Sequence, residues 1–116
     1  MGILAIFLGA SLPLAFSVEE KPKDLKLFFQ QNCTVCHGEK GDARGPDGKK
    51  LKGADFTRVR WQKRTRDDEM VDAILTGKWF GKAMPAFKDR LTKEEAQRMV
   101  TEIIRPFGKE KNPSSR

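Results

Sequence analysis

The residues with the most reactive side chains lie together in one short stretch, QQNCTVCHGEKGD. Cys33 and Cys36 are separated by two residues, and His37, the only histidine of the 116-residue chain, follows directly. The sequence contains no other cysteine. Thiols and imidazoles are nucleophiles and metal ligands, so this stretch is where we expect the chemistry of the protein.

Four kinds of site use cysteines at this spacing. A disulfide between Cys33 and Cys36 would close a very short loop and stabilise little, because the entropic gain grows with loop length. A thioredoxin-like redox pair needs a βαβ setting, which the sequence does not indicate. A zinc site needs about four ligands, and here only carboxylates could complete the set. The fourth kind is covalent haem attachment, for which C-x-x-C-H is the sequence signal.

The spacing favours haem. Each thiol can add across one haem vinyl group, and about one helical turn between two thiols presents both to the same edge of the porphyrin. The adjacent imidazole then points at the iron. We therefore predict one covalent haem c on Cys33 and Cys36 with His37 as an axial iron ligand, while zinc and dithiol chemistry stay open as alternatives.

The ligand in the second axial position decides between electron transfer and ligand chemistry. No second histidine exists, so the candidates are Met70, Met84, Met99 or a lysine. Met70 and Met99 lie on apolar helical stripes, where methionine usually fills the core. Met84 lies in a loop, and the proline after it favours extended backbone. Met84 is thus the predicted second ligand, and the alternative is a methionine that only packs within its loop.

The first predicted helix carries the C-x-x-C-H stretch at its end. Asp24 is placed to cap it, and its apolar residues recur at helical spacing. These are Leu25, Phe28, Phe29 and Cys33. Residues 38–60 contain five glycines, a proline and many charges, which predicts a long loop.

Two more helices are predicted downstream. One spans 67–76 and is expected to end at Gly77. The last begins with a capping box of Thr92 and Glu95, continues with apolar residues at helical spacing and is expected to end at Pro106. No stretch shows the alternation of a strand. Short helices and a glycine-rich loop bury little apolar surface, so a domain of this size needs something else at its centre.

From about residue 24 to residue 107 the sequence resembles the class I monohaem c-type cytochromes, particularly the small bacterial ones. The resemblance implies an all-α cytochrome c fold, with three to five short helices around the haem and the N- and C-terminal helices packed together. It rests on the final amphipathic helix and on the following residues: Phe29, Cys33-x-x-Cys36-His37, Gly45-Pro46, Ala54-Asp55-Phe56-Thr57 and Met84-Pro85-Ala86-Phe87.

The resemblance also implies two further residues of the haem environment. The backbone carbonyl of Pro46 would accept a hydrogen bond from the His37 ring and orient it. Trp61, or a neighbouring arginine, would lie near a haem propionate. The expected cytochrome c domain spans 18–107, and 108–116 form a flexible tail.

Residues 1–17 contain no charged side chain. Their apolar run is too short to span a bilayer comfortably and is interrupted by Pro13, but it has the length of a signal-peptide core. We predict a signal peptide or, if it is not cleaved, an N-terminal membrane anchor; a core helix is the alternative. The protein is then exported to the periplasm, soluble or anchored.

Histidine and methionine ligation would leave the iron no open site, so it could change between ferrous and ferric states without rearranging its bonds. The expected function is a single-electron carrier of a respiratory or similar redox chain, not an enzyme. A ligand-binding or peroxidatic c-type haem protein is one alternative and needs Met84 absent or displaced. A membrane-tethered cytochrome subunit of a redox complex is the other.

The charge excess of +7 is local. Residues 44–66, which we call the basic segment, contain nine basic and two acidic side chains, and elsewhere the two signs cancel. Such a patch steers association electrostatically. It predicts redox partner proteins with an acidic docking surface, although a solvated loop face is the alternative. Nucleic acid is not expected, because an exported haem protein would not meet it.

Overall fold

The computed structural model describes residues 2, 6, 8–14 and 21–109. In this part of the chain there is no strand, only isolated bridges between Arg44 and Lys50 and between Lys78 and Met84. The predicted all-α class is confirmed. The helices are α1 (Leu25–Asn32), α2 (Thr34–His37), α3 (Val59–Arg64), α4 (Asp67–Thr76), α5 (Lys93–Met99) and α6 (Arg105–Phe107), with a π-helical segment, Val100–Ile104, between the last two.

The two predicted terminal segments fall mostly outside the described residues. Of the predicted signal peptide or anchor, only residues 2, 6 and 8–14 are described, and of the predicted tail only 108 and 109. Within these limits no helix combines the length and the apolar character that a membrane crossing requires.

Helix α1 forms as the sequence predicts. The carboxylate of Asp24 accepts a hydrogen bond from the backbone N–H of Leu27 at 3.0 Å, which caps the first turn. Leu25, Phe28 and Phe29 are all buried. The helix ends at Asn32. Cys33 is the residue between α1 and α2, which is a single turn, and both cysteines and His37 lie on this short stretch.

Local signals also place α4 and α5 correctly. Helix α4 has the predicted bounds, and Gly77 follows it with a φ of 73°, a conformation that glycine adopts without strain. At the start of α5, the Glu95 N–H donates to the Thr92 hydroxyl at 3.1 Å and the Thr92 N–H donates to the Glu95 carboxylate at 2.9 Å. The predicted capping box is therefore present.

The prediction that Pro106 ends the last helix is wrong, because the helical backbone continues to Phe107. A proline removes one backbone donor and crowds the carbonyl of the preceding turn. The wider π-helical turn just before it shifts the hydrogen-bond register: the N–H of Arg105 bonds to the carbonyl of Val100, five residues back. The helical backbone therefore continues through Pro106, and its hydrogen-bond register changes directly before the proline.

The predicted loop over 38–60 is too long at its end, since Val59 and Arg60 belong to α3. This helix has six residues and no side-chain cap, so the sequence carries little local signal for it. Tertiary contacts hold it instead. The Gln62 side-chain amide donates to the backbone carbonyls of Phe56 at 2.8 Å and Ile104 at 3.0 Å.

The core lies where α1, α4 and the C-terminal helix meet. Helix α1 contacts α5, and the rings of Phe29 and Phe107 lie with their centroids 5.6 Å apart. Ala96 and Val100 are completely buried in the same cluster. The predicted packing of the first and last helices is confirmed. One side of this core forms part of the wall of a cavity.

Candidate functional site

A cavity of about 440 Å³ lies beside this core. That volume is in the range of cofactor pockets. Its wall includes apolar side chains from several elements, among them Phe56, Ile74, Phe87 and Ile104. Five of the six predicted site residues line it: Cys33, Cys36, His37, Trp61 and Met84.

The His37 ring is held from one edge and one face. Its Nδ1 lies 3.0 Å from the backbone oxygen of Ala54. A carbonyl oxygen can only accept, so Nδ1 carries the proton and the Nε2 of the neutral ring keeps its lone pair. The Phe56 ring stacks on the imidazole with centroids 4.3 Å apart. The ring is therefore fixed with a metal-binding nitrogen at its other edge.

Gly53 makes this arrangement sterically possible. Its N–H donates to the carbonyl of Cys36 at 2.8 Å, so the two backbone segments run in close contact. A Cβ at this position would lie 2.4 Å from the Cys36 oxygen and 2.7 Å from His37 Nδ1. Only glycine lets the 53–54 backbone come this close to the ring.

Burial lowers the pKa of His37 below its usual value, because a charged imidazolium loses its hydration there. The hydrogen bond to Ala54 opposes this shift, but burial is the larger cause. The imidazole is therefore neutral at physiological pH, which is the form that binds metals.

The prediction that Pro46 orients His37 is wrong, since the acceptor is the carbonyl of Ala54. Pro46 is exposed and lies in a tight turn closed by a 2.9 Å bond from the Gly48 N–H to the Gly45 carbonyl. That turn leaves the cavity before the chain returns to it at Gly53. A glycine directly before Ala54 is the sequence signal for a close backbone approach.

The two thiols are half-buried and not joined in a disulfide. Burial raises the pKa of Cys33 to about 11, and the neighbouring Cys36 contributes to the same shift. Reactive C-x-x-C thiolates have lowered pKa values instead, so the dithiol alternative is not favoured. For zinc, no group of three or more His, Cys, Asp or Glu side chains in the described residues could hold a metal ion.

Met84 lies at the cavity wall, half-buried and packed against the core cluster. Its carbonyl accepts a 2.9 Å hydrogen bond from the N–H of Lys78, which pins the loop at this point. Met70 also lines the cavity but is only 4% exposed and belongs to the core, as predicted. Met99 is 1% exposed and is not part of the lining. Lys52 and Lys78 are the lysines at the wall.

Trp61 lies between this cavity and a second one of about 540 Å³, which we call the basic cavity. Gly53, Ala54 and Thr65 are also shared by the two walls. The basic cavity has more cationic than anionic side chains in its lining, namely Arg44, Lys50, Arg58, Arg60 and Arg64 against Asp42 and Asp55. Trp61 therefore lies next to a surplus of positive charge; that it or a neighbouring arginine lies near a haem propionate stays a prediction.

Comparison with known proteins identifies the family. Residues 20–101 match the family model described as cytochrome C oxidase, cbb3-type, subunit III. Because the match covers most of the chain, the protein belongs to this family of c-type cytochrome domains. The predicted class is confirmed, and with it a covalently bound haem c as cofactor and haem-based electron transfer as general function.

Solved structures agree with this assignment. The KustC0563 c-type cytochrome is 28% identical, with a TM-score of 0.57 over 73% of this chain and 98% of that one. A tyrosine-to-phenylalanine variant of it is 29% identical, with a TM-score of 0.54 over 73% and 99%. None of the curated proteins compared with the chain matches it.

The residues at the cavity fit a haem c. Two thiols one helical turn apart, an imidazole with Nε2 unprotonated, and a thioether line one largely apolar space. The sequence does not predict that Ala54 and Phe56 contact His37. Both residues lie in the Ala54-Asp55-Phe56-Thr57 motif. No local pattern links that motif to a histidine 17 residues before Ala54.

Proposed function

We propose that the protein carries single electrons, with Cys33 and Cys36 holding haem c through thioether bonds and His37 and Met84 as the axial iron ligands. The observation that carries the proposal is that all four side chains line one cavity. When bound, the haem supplies a ferrous–ferric couple. Axial ligation of the iron by a methionine and a histidine raises the reduction potential of this couple.

The protein's own residues would orient the ligands and exclude water. The Ala54 carbonyl and the Phe56 ring hold the imidazole. The bond between Lys78 and Met84 holds the loop that brings the thioether to the cavity. Buried apolar side chains at the wall keep the site dry, which also affects the potential; they are Phe56, Ile74, Phe87 and Ile104.

With protein ligands in both axial positions, the iron would have no site for a substrate, so we propose a carrier and not an enzyme. We also propose a respiratory role and a periplasmic location. The respiratory role is supported by the description of the matching family as an oxidase subunit. The location follows from the predicted signal peptide or anchor. A tethered subunit of a redox complex fits the same observations if residues 1–17 stay attached.

We propose that the basic segment docks an acidic face of the redox partner. Five of its nine cations line the basic cavity, which shares Trp61 with the haem cavity. Arg60 and Arg64 form no ion pair with any carboxylate of the described residues, so their charge is available to a partner. Electron-carrier complexes are small and transient, and long-range attraction then sets their association rate.

Haem staining after denaturing gel electrophoresis tests the attachment. The wild-type chain should keep its stain, because thioether bonds survive denaturation. The double variant Cys33→Ala/Cys36→Ala should lose it. Val35→Ala, between the two cysteines and 73% exposed, is the matched control and should keep the stain. A stain that persists in the double variant would disprove covalent attachment at these residues.

Carbon monoxide separates the carrier from a ligand-binding haem protein. A ferrous protein whose axial positions are both filled should show little spectral change when the gas is added. Rapid and complete binding by the wild-type protein would instead favour the ligand-binding or peroxidatic function.

A further inference from the structure

The loop between Lys78 and Met84, which we call the aromatic turn, has an unusual backbone. Trp79 and Phe80 both have a φ of 54°, and Gly81 follows with a φ of 81°. Positive φ is rare for bulky residues, because Cβ then crowds the backbone. The turn is closed by bonds from the Ala83 N–H to the Lys78 carbonyl at 3.2 Å and from the Lys82 N–H to the Trp79 carbonyl at 3.1 Å.

This strained turn holds two aromatic rings in solvent. Trp79 is 79% exposed and Phe80 is fully exposed. Neither ring belongs to the core cluster or to a pair of interacting rings in the described part of the chain. The rings therefore gain no packing within the described fold that would offset the strain. Strained residues of this kind concentrate at functional sites, where they preorganise a contact.

The charged residues along this part of the sequence are all basic. Lys78 and Lys82 flank the two aromatic residues, Lys88 follows, and no acidic residue occurs between Gly77 and Lys88. Tryptophan is enriched at the headgroup level of bilayers, and lysines beside aromatic residues favour anionic lipids. Each basic side chain near such a surface adds electrostatic attraction.

We propose that the aromatic turn docks on an anionic lipid surface, with Trp79 and Phe80 entering the headgroup region and Lys78 and Lys82 contacting lipid phosphates. The shape of the tip favours lipid over a protein partner. A protein hot spot needs a surrounding rim of contacts that excludes water. Glycines at 77 and 81 and flexible lysines offer little such rim, whereas a bilayer surrounds an inserted tip on all sides.

Docking through this turn would orient the protein. Lys78, Ala83 and Met84 line the haem cavity, so the Met84 side of the cavity would lie next to the membrane. The basic cavity borders the haem cavity at Ala54 and Trp61, beside His37. The basic segment is then a second docking surface, used for protein and not for lipid.

Vesicle co-sedimentation of the full-length holoprotein tests the proposal. The wild type should bind vesicles of phosphatidylglycerol and phosphatidylcholine and bind pure phosphatidylcholine less well. Trp79→Gly/Phe80→Gly should weaken binding to the mixed vesicles about tenfold or more, because two apolar side chains no longer leave water. Glycine accepts positive φ, so this variant keeps the turn. All variants share the same N-terminus, which therefore cannot explain a difference.

Two further variants sharpen the result. Leu27→Ala/Val59→Ala removes two exposed apolar side chains elsewhere and should bind like the wild type. Trp79→Phe keeps an aromatic ring at the same place and should bind the mixed vesicles better than the double glycine variant does. Equal vesicle binding by the wild type and the double glycine variant would overturn the proposal. The same is true if the double glycine variant binds vesicles normally and fails only in electron transfer with a detergent-solubilised partner. None of these readouts depends on the axial ligands, so they can fail independently of the proposed function.

Discussion

The imidazole of His37 donates from Nδ1 to the backbone carbonyl of Ala54 across 3.0 Å, and these two residues are 17 positions apart in the sequence. The bond fixes both the tautomer and the orientation of the ring. A histidine ligand that donates its second nitrogen in this way is also a stronger electron donor to a metal. With His37 as the proposed iron ligand, the backbone at Ala54 would therefore be part of the metal site, although its side chain has no chemistry to offer.

Gly53→Ala tests this contact. The new Cβ would collide with the Cys36 carbonyl and with His37 Nδ1, so the 53–54 backbone must move away. We expect the holoprotein to lose about 3 kcal/mol of stability, toward the upper end for an overpacked site. The reduction potential should rise, because the imidazole becomes a weaker donor. Urea denaturation and a redox titration measure the two effects.

Gly48→Ala is the matched control for that variant. Gly48 has a φ of 76°. No atom of the described residues lies within 4 Å of the position that a Cβ would take, so the substitution adds backbone strain without a collision. It should cost about 1–2 kcal/mol and leave the potential unchanged. A potential that is the same in Gly53→Ala and the wild type would show that the Ala54 bond does not tune the iron.

Arg105 connects the C-terminal helix to the α3–α4 junction. Its guanidinium donates to the backbone carbonyls of Gln62 and Thr65 and to the carboxylate of Asp67. Lysine keeps the charge but cannot reproduce this fork of donors. Arg105→Lys should therefore destabilise the protein by about 2–3 kcal/mol, since hydrogen bonds to charged groups are among the stronger ones.

Arg98→Lys serves as the comparison for that substitution. Arg98 lies in α5, and among the described residues it pairs only with Glu102, which is one turn away and half-exposed. This substitution should therefore cost less than about 0.5 kcal/mol. Denaturation midpoints of the two variants measure the difference. Equal midpoints would mean that Arg105 contributes no more than a surface ion pair.

Charge reversal in the basic segment tests the protein docking surface. Lys49→Glu/Lys50→Glu/Lys63→Glu should slow electron transfer at low salt and flatten its dependence on ionic strength, because rim charges act on the association rate. Screening is already substantial at physiological salt, where the Debye length is about 8 Å. Stopped-flow oxidation by membranes from the source organism, across a salt series, measures both. If the wild type and the variant have the same electron-transfer rates and the same dependence on ionic strength, the segment is only a solvated face. The absorption spectrum and the reduction potential serve as controls and should not change.

The sequence predicts those features whose signals are local. The Asp24 cap, the Thr92–Glu95 capping box and the glycine after α4 each depend on residues within one turn of helix, and each prediction is confirmed. The C-x-x-C-H stretch is equally local. These signals suffice for the all-α class and for the position of the cavity.

What could not be predicted depends on distant contacts. Helix α3 has no cap and is held by Gln62 across to Ile104, 42 residues away. The π-helical turn before Pro106 arises within a long packed helix. The family resemblance implies that Pro46 is the hydrogen-bond partner of His37. Pro46 and Ala54 both lie in the loop and both offer a carbonyl acceptor. Only the folded path of the chain decides that Ala54 is the partner.

The absorption spectrum of the ferric protein tests the proposed ligand pair most directly. We predict a weak far-red band from sulfur-to-iron charge transfer in the wild type. Met84→Ala should abolish it, lower the potential and open the iron to cyanide. Met70→Ala removes the other methionine at the cavity wall; it should keep the band and cost about 2–5 kcal/mol of stability. A band that survives in Met84→Ala, or that disappears in Met70→Ala, would contradict ligation by His37 and Met84.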